Sequence, residues 1–119
     1  MNNIENYNKN IFESIKHIDE EGIEFWYARE LQKVLKYKEW RKFNGVISKA
    51  KISCDASNYN VLDHFVQLDK MVDIGSKTSR KILDYKLSRY ACYLIAMNGD
   101  SRKDVISLRK THIKKGTNL

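Results

Sequence analysis

The sequence predicts an α+β fold, a compact single domain of several helices packed around one or two short β-hairpins and spanning residues 1–119. Three observations predict it. Apolar residues recur at three- and four-residue steps in separate stretches; period-two alternation marks two neighbouring segments beyond residue 65; and no proline, repeat or low-complexity linker divides the 119 residues. A chain of this length can hold a core without disulfides or metal.

The elements follow in order. Ile4, Tyr7, Ile11, Ile15 and Ile18 fall at helical spacing, but Glu20-Glu21-Gly22 signals a turn. The helix therefore stops early, leaving residues 15–18 and 23–26 as the arms of a short hairpin that carries Phe25-Trp26-Tyr27 into the core. Ala28, Leu31, Val34 and Leu35 define a short helix, with Arg29, Glu30 and Lys33 on its outer side. After Lys36-Tyr37, a longer helix is marked by Trp40, Phe43, Ile47, Ala50 and Cys54, its outer rows being Lys38, Lys42 and Lys49 in one and Arg41, Asn44, Ser48 and Lys51 in the next. Residues 55–60 read as a loop.

Val66, Leu68, Val72 and Ile74 alternate along one strand, and Leu83, Tyr85 and Leu87 along another. Residues 75–81 between them read as a basic, hydroxyl-rich tip. Ser88 is placed to cap a buried helix holding Ala91, Leu94 and Ile95, which Asn98-Gly99 ends. Ser101 with Asp104 resembles a capping box before Val105, Ile106 and Leu108, and residues 112–119 read as a frayed tail.

Composition narrows the function classes. A hydrophobic fraction of 42% excludes a disordered chain, and 31% charged residues predict a very polar surface. No apolar run approaches the ~20 residues needed to cross a bilayer. Residues 1–10 are too polar for a secretory signal, so no membrane association and a cytoplasmic location are expected. Cys54 and Cys92 lack a CxxC partner, and His17, His64 and His112 are scattered, so neither metal nor cofactor is expected and both thiols read as buried. The net charge of +7 points towards a polyanion and is unevenly spread: residues 1–30 carry −4, 31–51 carry +6, 52–75 carry −3, and 76–99 and 100–119 carry +4 each.

Several phrases, in order, carry a resemblance: Phe25-Trp26-Tyr27-Ala28-Arg29-Glu30-Leu31, Leu35-Lys36-Tyr37, Trp40-Arg41-Lys42-Phe43, Val46-Ile47-Ser48-Lys49-Ala50, Asp63-His64-Phe65 and Met71-Val72-Asp73-Ile74-Gly75-Ser76. The most specific block runs from Asp84-Tyr85-Lys86-Leu87-Ser88-Arg89-Tyr90 through Ala91-Cys92-Tyr93-Leu94-Ile95-Ala96-Met97-Asn98-Gly99-Asp100. Over residues 12–108 the chain resembles the DNA-damage-inducible protein D family. The resemblance implies kinship with the N-terminal domain of Bro proteins and phage antirepressors, a mixed α and β module associated with DNA binding and the damage response. The family continues with a Gln-Thr-Tyr-Phe-Ala-like phrase where this chain reads Arg109-Lys110-Thr111-His112-Ile113-Lys114-Lys115, so a shortened member is expected and roles in the remaining region, including oligomerisation, do not carry over.

Two elements become candidate DNA contacts. On the longer helix, Arg41, Lys42 and Lys49 could neutralise phosphates and Asn44 could pair with a base edge; a solvated helix face is the plain alternative. In the tip, Lys77, Thr78, Arg80 and Lys81 offer cations and a hydroxyl to a phosphate backbone; an ordinary hairpin turn is the alternative. A rigid helix would orient the domain, making Arg41 and Asn44 responsible for sequence preference, while a flexible tip would grip phosphate through Lys77 and Arg80. Arg102, Lys103, Arg109 and Lys110 are the fallback surface.

Ser88-Arg89-Tyr90 reads as structural: Ser88 capping, Arg89 pairing with Asp84 or Asp100, Tyr90 packing. Trp26, Trp40 and Phe43 read as core. Asp63, His64, Asp69, Asp73 and Asp84 do not make a nuclease centre, being spread over a loop and two strands with lysines between, so no catalytic residue is expected. The expectation is a non-enzymatic binder of duplex DNA. The alternative is a modulator of a protein such as the RecA filament or a host defence nuclease, docked through the acidic block of Asp19, Glu20, Glu21 and Glu24. A homodimer stays open.

Overall fold

Trp26 sits at the centre of the packing, and its position follows from the chain on either side. The computed structural model describes residues 10–99. Residues 10–14 are helical (α1), and the carbonyl of Phe12 accepts the Trp26 indole N–H at 2.9 Å while the two rings stack 4.4 Å apart. The chain then forms β1 (His17–Ile18), turns, and returns as β2 (Glu24–Tyr27) in antiparallel register, His17 opposite Phe25 and Ile18 opposite Glu24. Asp19 closes the turn: its Oδ1 accepts from the backbone N–H of Glu21 and Ile23, and Gly22 takes the left-handed φ of +81° that the reversal requires. The early helix stop and the hairpin are as the sequence predicts. Alternation sends only Trp26 inward, however; Phe25 and Tyr27 lie half-buried on the other face.

Helix α2 (Ala28–Val34) buries Ala28 and Leu31 and ends before Lys36, whose φ is +62°. Helix α3 (Trp40–Ala56) buries Phe43, Ile47, Ala50 and Cys54, the 4-3-4 spacing of a single helical stripe. It extends two residues into the expected loop. A short helix, α4 (Val61–His64), follows where no helix is expected, started by Asn60, whose side chain accepts from Leu62 N–H.

The long strands β3 (Phe65–Gly75) and β4 (Thr78–Leu87) pair antiparallel, giving a sheet ordered β1-β2-β4-β3. Phe65, Tyr85 and Leu87 are buried, whereas residues 69–71 and 73–81 are exposed, so the hairpin leaves the body as a two-stranded ribbon. At its end Gly75 pairs with Thr78, a register shift after Asp73 marks a bulge, and Ser76 and Lys77 turn the chain with positive φ at both. Helix α5 (Arg89–Met97) starts at Ser88, whose Oγ accepts from Ala91 N–H at 3.0 Å, the cap the sequence predicts. It buries Ala91, Cys92, Leu94, Ile95 and Ala96.

The result is a compact α+β domain with one core between the sheet and helices α3 and α5. Cys54 and Cys92 are buried thiols, and burial raises the Cys54 pKa. No helix among the described residues is long and apolar enough to cross a membrane. The capping box at Ser101, the cations from Arg102 to Lys110 and the tail lie outside the described residues.

Candidate nucleic-acid interface

The cations divide by whether another part of the chain already holds them. Arg89 is fully engaged. Its Nε and Nη2 donate to the two carboxylate oxygens of Glu24 at 2.8 and 2.9 Å, and its Nη1 donates to Glu13 Oε2 at 2.9 Å. The guanidinium also lies 5.1 Å from the Trp26 ring centroid, so one side chain ties α5 to α1 and β2. Hydrogen bonds from Arg89 hold the carboxyls of Glu13 and Glu24 below the usual range, and those carboxylates push the Arg89 pKa up. Lys16 joins the group at 3.3 Å from Glu13.

The expected pairing of Arg89 with Asp84 is therefore corrected. Asp84 is fully buried, and its Oδ1 accepts from the N–H groups of Arg29 and Tyr85 at 3.0 and 2.8 Å. Asp100 lies outside the described residues. The acidic block is half consumed as well: Glu24 holds Arg89 and Asp19 holds its turn, leaving Glu20 and Glu21 exposed.

Arg29 also departs from expectation. Helical spacing puts it on the outer side of α2, yet its Nε donates to the Leu83 carbonyl at 2.9 Å and its guanidinium lies 3.9 Å over the Trp40 ring. Burial lowers its pKa, with Asp84 opposing. Trp40 stacks on Tyr85 at 6.5 Å, and Lys51 caps that ring at 4.5 Å while donating to its hydroxyl at 3.2 Å. This column of cation, ring, ring and cation clamps α2 and α3 to the base of the ribbon. Sequence spacing could not reveal it, because Arg29 and Leu83 are 54 positions apart.

Ser88 and Tyr90 behave as structural residues. Ser88 Oγ lies 2.7 Å from His64 Nδ1, and the ring of His64 contacts Tyr59 and Tyr90, which joins the start of β3 to the start of α5. No group of three His, Cys, Asp or Glu side chains among the described residues could hold a metal.

The expected contact residues contrast with these. Arg41, Lys42 and Lys49 are exposed, and none makes an ion pair with a described residue. They do not form one row with Asn44. At ~100° per residue, Lys42 and Lys49 lie roughly 140–160° round the helix from Asn44, with Arg41 between. Lys42 and Lys49 share their flank with Ser53, whose hydroxyl accepts from Asn98 at the C-terminal cap of α5, whereas Asn44 shares its flank with Lys51 and Trp40 beside the ribbon. Asn44 is half-buried, and its Oδ1 is sequestered without a hydrogen-bond partner.

In the ribbon, Lys77 occupies the turn, and Thr78 Oγ1 donates to the Gly75 carbonyl at 2.6 Å, so this hydroxyl closes the hairpin. The expected seven-residue tip shrinks to Ser76 and Lys77, because Thr78, Arg80 and Lys81 are already paired in β4. Arg80 stands opposite Val72 and Lys81 opposite Met71, on opposite faces of the ribbon.

Residues 14–110 match the BRO family, N-terminal domain. The chain is 46% identical over 101 residues to DNA damage-inducible protein D of Escherichia coli, an alignment covering 85% of this chain and 37% of that protein. It thus spans little more than a third of that relative's length. No solved structure matches. With most of its length matched by the family's N-terminal domain and nearly half its aligned residues shared with that relative, this chain belongs to the BRO N-terminal domain family.

Proposed function

We propose that the protein is a non-enzymatic, cytoplasmic module that binds duplex DNA, acting in a DNA-damage (SOS-type) response or in regulation of a phage or other mobile element. The observation that carries this reading is the division of its charges. Arg29, Lys51 and Arg89 are engaged within the fold, while Arg41, Lys42, Lys49, Lys77, Arg80 and Lys81 are exposed without an ionic partner among the described residues. Cations left unpaired by the fold are the groups a phosphate backbone can neutralise. The family's association with DNA and the relative's name support the same reading.

Titration of a labelled duplex across salt concentrations tests it. Each phosphate neutralised adds about −0.9 to the slope of log K against log salt. A slope between about −3 and −6 is expected if most of these cations make contact. No binding at low salt, or a response independent of salt, overturns the proposal.

A further inference from the structure

The strand register sorts the ribbon's charges between its two faces. Residues directly opposite in an antiparallel pair share a face, and neighbours along a strand alternate. Tyr27 opposes Lys86, Val66 also opposes Lys86, Lys70 opposes Ile82 and Val72 opposes Arg80, so these residues lie together on the face away from α3 and α5. The strand residues of this outer face carry the cations Lys70, Arg80 and Lys86, and their one carboxylate, Asp84, is fully buried. The inner face of the same ribbon carries Asp69 and Asp73, both exposed, against a single cation, Lys81. One face is therefore suited to a polyanion and the other repels it.

We infer that the outer face of the β3–β4 ribbon enters the major groove of duplex DNA and that Arg80 on it reads base edges. This inference rests on the DNA-binding reading above and narrows its contacts to the ribbon: Lys70, Arg80 and Lys86 face the duplex with Lys77 at the tip, while Lys81 on the inner face and Arg41, Lys42 and Lys49 on α3 lie on the other side of the sheet. Dimensions favour the groove. Two strands set ~4.8 Å apart fit a major groove ~12 Å wide, whereas the four-stranded base of the sheet, about 14 Å across its strand axes, does not. The ribbon thus enters as far as the point where β2 joins it, where Lys86 and Lys70 stand over the rings of Phe25 and Tyr27 at 4.8 and 6.0 Å. A second copy of the chain docked on this face would set Lys70, Arg80 and Lys86 against the same cations, which disfavours self-association.

Arg80 is the better candidate for reading sequence than Asn44. It is anchored in a paired strand rather than in a turn, its guanidinium makes no ion pair with a described residue, and an arginine fork matches the two acceptors of guanine. Beside it, Val72 and Ile82 offer apolar contact to a thymine methyl. Asn44 presents a carboxamide whose oxygen is sequestered. This reverses the division expected from the sequence, in which the helix discriminates and the hairpin only grips.

Selection of duplexes from a randomised pool by the full chain, followed by titration of the selected and unselected duplexes, tests the inference. The parent should enrich a guanine-containing site and prefer it by roughly tenfold or more. Arg80→Ala should lose that preference while keeping salt-dependent binding to unselected duplex, and its unchanged Tm should show that it is folded. Asn44→Ala should retain the preference. Asp69→Asn with Asp73→Asn should change affinity less than about twofold, since that face points away from the phosphates. Failure of the parent to enrich any site, loss of preference with Asn44→Ala but not Arg80→Ala, or a tenfold gain from the Asp69 and Asp73 changes would each overturn the inference and leave the general DNA reading standing. Absence of binding to any duplex would remove that reading too.

Discussion

Where α1, β2 and α5 meet, Glu13, Lys16, Glu24 and Arg89 satisfy one another over the stacked rings of Phe12 and Trp26. Along the distal ribbon, Asp69, Asp73, Lys77, Arg80 and Lys81 make no ion pair with any described residue, and both faces stand in solvent. The junction holds one of the most conspicuous motifs in the sequence, yet its charges are committed to the fold. The ribbon resembles an ordinary basic hairpin, yet nothing in the fold accounts for its cations. Conspicuous residue types are thus a poorer guide to a ligand than the question of which charges remain unpaired.

The contrast can be broken most forcefully at Trp26. Trp26→Ala removes a fully buried ring and the indole bond to Phe12, and should cost about 3–5 kcal/mol of stability, read as a large fall in Tm. Any DNA binding it loses should return in proportion to the folded fraction. Asp84→Ala should cost about 1–3 kcal/mol by orphaning the buried N–H groups of Arg29 and Tyr85, with the ribbon base loosening first in amide hydrogen exchange. Arg89→Gln should cost about 1 kcal/mol, because its ion pairs are half exposed and screened, and should leave the DNA salt slope unchanged. Lys77→Ala should do the reverse: Tm unchanged, affinity for every duplex lowered a few-fold and the salt slope reduced by about 1.

The smallest effect is on pH dependence. Arg89 depresses the carboxyls of Glu13 and Glu24, so their contribution is present above the ordinary value of 4.5 and is lost as pH falls through the depressed values. Chemical denaturation of the parent should show stability falling as pH drops below about 4.5, and Arg89→Gln should flatten that fall.

How much of this is legible in the sequence depends on whether the relevant forces are local. The stripe Phe43, Ile47, Ala50 and Cys54 is readable because burial against one side imposes helical spacing, and Ser88 is readable because a cap acts within three residues. The ribbon's true length is not readable beyond Ile74 and before Leu83. A strand with water on both faces needs no alternation, so Thr78, Ser79, Arg80 and Lys81 resemble a loop. The pairing of Arg89 is hidden for a different reason. Its partners Glu24 and Glu13 are 65 and 76 positions away, and only the tertiary fold brings them closer than the nearby Asp84. The candidate cations themselves are visible in the sequence, but their placement around α3 and on the two faces of the ribbon follows from register.

The most direct measurement of the central claim is the salt slope of duplex binding, taken beside Tm for three proteins: the parent, Lys77→Ala with Arg80→Ala, and Arg89→Gln. Unpaired ribbon cations that bind DNA predict a slope reduced by at least about 1, the phosphate contact of Lys77, and an unchanged Tm for the ribbon variant, with a parental slope and a lowered Tm for Arg89→Gln. A parental slope in the ribbon variant, or a slope reduced by Arg89→Gln while its Tm holds, would contradict the account.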